Sequence, residues 1–139
     1  MALVRGRRSA GKPETWLGAS LPVGTLMIVL FVPSQDREGN DIQHDDWVTG
    51  ALETLGALFR GATAYPRARG VWRDDQRGGA LRYEQPTIVT CYADPKAMTN
   101  AAQSRLRAFL HRLRRETNQG EVGIVIADKY YGITEFDPS

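Results

Sequence analysis

Two amphipathic helical segments, four strand-like runs and their alternation along the chain predict an α+β fold of the ferredoxin-like βαββαβ type. In that arrangement an antiparallel sheet carries both helices on one face. The first strand is "TLMIVLFVP", a short, continuous apolar run of β-rich composition that Pro33 ends; it reads as buried on both faces. The polar stretch "SQDREGNDIQ" follows as a loop. Asp45 or Asp46 then caps a helix whose Val48, Ala51, Leu52, Leu55, Leu58 and Phe59 fall on one face, with Gly61 as its stop. "ATAYPRARGVWRDD" and "GALRYEQPTIVTCYA" read as two strands joined through "DDQRGG", with Pro66 and Pro86 marking edges, ends or bulges. The strongest helical pattern lies in "DPKAMTNAAQSRLRAFLHRLRRETNQG". There Ala102, Leu106, Phe109, Leu110 and Leu113 share a face, and Gly120 follows the end. "EVGIVIADKYYGITEF" closes the pattern as strand, broken near Asp128 and Lys129.

Composition sets the class. The chain has 139 residues, enough for one domain with a real core, and is 42% hydrophobic and 24% charged, as ordinary globular proteins are. No apolar run approaches the length of a membrane span, and the start has no apolar segment of secretory length. Cys91 stands alone, which rules out an intrachain disulfide and fits a reducing, cytoplasmic location. Residues 1–23 read as a basic, flexible arm bearing Arg5, Arg7, Arg8 and Lys12, and 24–139 as a single ferredoxin-like domain.

The arm contains "GRRSAGKP", close to a phosphate-binding loop. Such a loop needs a hydroxyl residue after Gly-Lys to ligate magnesium, and a buried strand before it. Pro13 supplies neither a hydroxyl nor a backbone donor, and only five residues precede Gly6, so no nucleotide triphosphate site is expected. His44, Asp45 and Asp46 suggest a metal only until the other histidine, His111, is placed on a different helix; helix capping explains the acids more simply. Cys91, within an apolar strand, reads as a small buried hydrophobe rather than a nucleophile. Neither a metal nor a cofactor is expected.

Glu84 stands out. Strand alternation in "LRYEQPT" puts Arg82 and Glu84 on one side and Leu81 and Tyr83 on the other. The structural reading is an ion pair with Arg67, Arg69 or Arg82; the functional one is a carboxylate in a sheet-face pocket lined by Trp72, Tyr83 or Tyr92. The segment "GVWRDDQRGGALRYEQPTIVTCY" also resembles the middle hairpin of a small ferredoxin-like bacterial family. Gly70, Trp72, Gly78 or Gly79, Glu84 and the apolar "TIVTCY" carry that resemblance. It implies the same fold and brings no activity with it.

The second helix carries Arg105, Arg107, Arg112, Arg114 and Arg115, with no acidic residue from Lys96 to Glu116. Surfaces built only for solubility generally mix signs, so this face, with the arm, points to nucleic acid or an acidic partner. With no convergent acid-base set in view, the sequence reads first as a non-catalytic binding or assembly subunit. It would act through a sheet face or edge with Tyr65, Trp72, Tyr130 and Tyr131 at its interface, as a self-associating or partner-bound protein. A nucleic-acid-binding module is the alternative, and a small-molecule-binding protein or enzyme with its pocket at Glu84 is the third.

Overall fold

The computed structural model describes residues 11–135. Arg5, Arg7 and Arg8 lie outside them. The elements are α1 (Pro13–Leu17), β1 (Leu26–Val32), α2 (His44–Phe59), β2 (Thr63–Ala64), β3 (Gly70–Asp74), β4 (Ala80–Glu84), β5 (Thr87–Ala93), α3 (Asn100–Glu116), β6 (Val122–Ile126) and β7 (Lys129–Ile133). Strands order as β2-β5-β1-β6-β7, and every pairing is antiparallel. β1 and β2 flank β5, and β5 and β6 flank β1, so each strand-helix-strand half is split by a strand of the other half. This is the ferredoxin-like α+β arrangement, with β7 added as an edge by a hairpin turn at Ala127 and Asp128.

The core lies between one sheet face and the two long helices. Cross-strand registers Ile28↔Cys91, Leu30↔Val89 and Leu30↔Ile124 align the inward side chains. Ala51, Leu55 and Phe59 of α2 and Leu106, Phe109, Leu110 and Leu113 of α3 cover them. The apolar stripe read for α3 is therefore the buried one. Trp47 meets Phe109 at a ring separation of 6.0 Å across the α2–α3 seam. Gly50 makes room there, because a Cβ on it would stand 3.2 Å from the Phe109 ring.

Four details depart from expectation. β1 alternates instead of being buried on both faces: Ile28, Leu30 and Val32 are inside, while Met27, Val29 and Phe31 are half-buried on a face without helices. The acids of α2 do not cap it. Gln43 is at the N-cap with no side-chain bond, and Asp45 and Asp46 occupy the first turn, where they suit the positive end of the helix dipole. Its stop is Arg60 in the left-handed region (φ 79°), one residue before Gly61.

The fourth departure shapes the site. Only Thr63–Ala64 of the first middle run joins the sheet, and β3 and β4 pair with each other as a separate ribbon. Proline explains where the run divides. Pro66 follows β2 and Pro86 separates β4 from β5, and neither residue offers an N–H to a ladder.

Residues 11–25 are exposed apart from the partly covered Glu14, and α1 buries nothing. No helix among the described residues is long and apolar enough to cross a membrane.

Candidate active site around Glu84

The loop after β1 and the β3–β4 ribbon meet over a cleft of about 360 Å³. Ser34, Gln35 and Asp41 line it from the loop, and Arg67, Arg69, Gly70, Tyr83, Glu84 and Gln85 from the ribbon side. The loop is tightly held. Asp36 Oδ1 accepts from the amides of Glu38 (2.8 Å) and Asn40 (2.9 Å), closing a turn. The Asn40 amide is the main reason the Asp36 carboxyl titrates below its ordinary range. Gln119 Nε2 donates to the Gln35 carbonyl at 2.8 Å, and Arg37 donates to the Gln119 carbonyl at 3.0 Å. Behind Ser34, buried His44 spans the Pro33 carbonyl (Nδ1, 2.8 Å) and Thr87 Oγ1 (Nε2, 2.7 Å). Donation to a carbonyl puts the proton on Nδ1, leaving Nε2 to accept from the threonine hydroxyl. His44 is thus a structural strut beneath the cleft.

Two contacts fix the ribbon to this loop. Arg82 donates to the Arg37 carbonyl at 3.2 Å, pairs with the buried Asp74 at 3.3 Å and lies 5.7 Å over the Trp72 ring. Glu84 makes the other contact. Its Oε1 accepts from Ser34 N (2.9 Å), Ser34 Oγ (2.5 Å) and Gln85 N (2.9 Å). Among the described residues Oε2 has no hydrogen-bond partner, so the carboxylate is held in one orientation by one oxygen and keeps the other available. The expected ion pair with Arg67, Arg69 or Arg82 is absent among the described residues, since Arg82 is committed to Asp74.

The structure brings Tyr83 and Glu84 to the cleft but not Trp72 or Tyr92. Trp72 shares the Glu84 side of the ribbon by register, yet it stands opposite Arg82, which takes its ring face. Tyr92 belongs to β5, beyond the Pro86 break, and is exposed on the bare face of the main sheet, paired with Met27. The pocket is accordingly a rim cleft and not a sheet-face pocket. Ser34 and Asp41 were hidden in a stretch that reads only as polar loop; their signal was proximity to Glu84, which no local pattern encodes.

The other candidates sit apart. Lys12 is exposed beside α1, and Pro13 opens that short helix where a phosphate loop would need its hydroxyl residue. On α3, Arg105, Arg107 and Arg112 are exposed and Arg114 and Arg115 half-buried. Arg112 pairs with Glu116 at 3.1 Å and lies 5.3 Å over the Trp47 ring, so that part of the basic face is internally balanced. Cys91 is buried, and burial pushes its thiol pKa up, away from nucleophilic character. Among the described residues no group of three or more His, Cys, Asp or Glu is arranged to hold a metal ion.

No family model and no curated protein matches the chain. Solved structures do. A phage SAM lyase in complex with S-methyl-5'-thioadenosine superposes with a TM-score of 0.58 at 20% identity, covering 84% of this chain and 94% of that one. A phage SAM lyase in its apo state superposes at 0.57 and 19% identity, covering 86% and 97%. What they share with this chain at such identity is the fold. They correct the expectation of a non-catalytic binding or assembly subunit: both of these solved chains, alike to this one over nearly their whole length, are of an enzyme. The polar groups also converge at the Glu84 cleft, while the bare sheet face is largely apolar.

Proposed function

We propose that the chain is an enzyme that binds an adenosyl sulfonium at the Glu84 cleft and cleaves it to S-methyl-5'-thioadenosine. The observation that carries this reading is the Glu84 carboxylate, fixed through Oε1 by Ser34 and Gln85 with Oε2 uncommitted at the cleft. The fold's likeness to a SAM lyase supports it. An adenosyl sulfonium has an aromatic base, a ribose diol, a sulfonium and an amino-acid zwitterion. The cleft offers the exposed Tyr83 ring for stacking, acidic acceptors at Glu84 and Asp41, and guanidinium donors at Arg67 and Arg69.

The chemistry suits so polar and open a site. Release of the thioether breaks the bond between sulfur and Cγ of the amino-acid fragment as an oxygen of that fragment's own α-carboxylate bonds to Cγ, so the fragment leaves as a five-membered lactone. The bond pair moves to sulfur, and the sulfonium charge vanishes as the reaction proceeds. A carboxylate set directly against sulfur would stabilise the starting cation more than the transition state and slow the reaction. Glu84 therefore serves best as an acceptor for ribose hydroxyls, holding the nucleoside while the bond behind it breaks. Placing the reacting atoms accounts for much of the rate gain available to a one-substrate reaction of this kind.

Calorimetric titration with S-methyl-5'-thioadenosine tests the reading. Wild-type protein should bind it saturably, and Glu84→Gln should weaken binding at least about tenfold, or about 1.4 kcal/mol. Equal affinity in both proteins would remove Glu84 from the site.

A further inference from the structure

We infer that Arg67 and Arg69 form a carboxylate clamp, so that the cleft selects ligands carrying a free α-amino-acid end. This rests on the adenosyl-sulfonium reading of the cleft and adds the group that decides which adenosyl compounds it holds.

Four charged side chains line one cleft without neutralising one another. Among the described residues, no salt bridge joins Arg67 or Arg69 to Glu84 or Asp41, and neither guanidinium has another hydrogen-bond or ion-pair partner. Asp41 is likewise without a side-chain partner among those residues. The contrast with the neighbouring ribbon is sharp, because Arg73, Arg77 and Arg82 all pair with aspartates there. Opposite charges left apart in one depression suit a ligand that carries both signs.

The local chain explains why these arginines share a side. Ala68 between them is half-buried, and its N–H donates to the Pro86 carbonyl at 2.8 Å. On either side of it both arginines are exposed, and both line the cleft. Two planar guanidinium groups two residues apart match a carboxylate better than ammonium groups would, through paired N–H donors in a fixed fork. The α-carboxylate then meets Arg67 and Arg69, and the α-ammonium has Asp41 as its counter-charge. S-methyl-5'-thioadenosine lacks that whole end and retains only the nucleoside contacts, so cleavage itself loosens the product.

The test compares two adenosyl thioethers that lack the sulfonium: S-adenosylhomocysteine, which keeps the amino-acid end, and S-methyl-5'-thioadenosine, which does not. Each is titrated calorimetrically into wild type, the double variant Arg67→Gln/Arg69→Gln and the control Arg73→Gln, all checked for unchanged circular dichroism and melting temperature. The double variant should lose at least about tenfold in S-adenosylhomocysteine affinity and change by less than about twofold toward S-methyl-5'-thioadenosine. Arg73→Gln should alter neither. If both ligands bind wild type and the double variant leaves their affinity ratio unchanged, the clamp is wrong and the adenosyl site stands. If wild type binds neither, both readings fall.

Discussion

His44 and Tyr130 illustrate how single polar atoms are settled in this chain. His44→Ala would leave the Pro33 carbonyl and the Thr87 hydroxyl facing a cavity. The loss should be about 1–3 kcal/mol for the unsatisfied polar groups, measured by urea unfolding. Tyr130 is over half exposed, yet its hydroxyl donates to Glu121 Oε2 at 2.7 Å. The ring lies across Gly123, where a Cβ would collide with it, and 6.3 Å from Phe31. Burial of the hydroxyl first, then the bond and the glutamate's charge, push its pKa from 10.0 up to about 12. A raised folded value means the proton favours the native state. The stability from this group is therefore fully present below pH 10 and lost as pH rises through about 12. An absorbance titration of phenolate should show one late tyrosine that Tyr130→Phe removes. An unchanged curve would mean the contact does not persist in solution.

The elements differ in how much of them local sequence can encode. Helix α3 is legible because five apolar positions recur at helical spacing, and the same positions turn out to be buried. Phe109 is 7% exposed, so Phe109→Ala should cost about 3–5 kcal/mol in chemical denaturation. Arg112→Ala should cost about 1 kcal/mol or less, from an exposed ion pair and a partly exposed ring contact. Comparable losses at both positions would mean the helix is rotated from the orientation described. The ribbon was less legible. "GVWRD" and "ALRYE" lie in runs that read as strands and are strands, but a strand's partner is chosen by tertiary packing, and nothing local says they leave the main sheet. The site inherits the same division. Alternation singled out Glu84 and Tyr83, whereas Ser34 and Asp41 come from a loop some forty to fifty positions earlier (Ser34 and Glu84 are 50 apart). Arg67 and Arg69 were visible only as ion-pair partners for Glu84, and it is their lack of such pairing that supports the proposed clamp.

At the scale of the whole molecule, the fold uses its two surfaces differently. One sheet face is spent on the core beneath α2 and α3, and the rim beyond β1 and β5 carries the Glu84 cleft. The activity proposed for this cleft is cleavage of a carbon–sulfur bond. The most direct measurement is a time course of purified full-length protein with S-adenosylmethionine, with S-methyl-5'-thioadenosine quantified by chromatography. Wild type should form the thioether in proportion to enzyme concentration. Glu84→Gln, with its melting temperature unchanged, should form it at least about tenfold more slowly, equivalent to about 1.4 kcal/mol of barrier. No thioether above the no-enzyme control, or an equal rate from Glu84→Gln, would rule out cleavage at the Glu84 cleft.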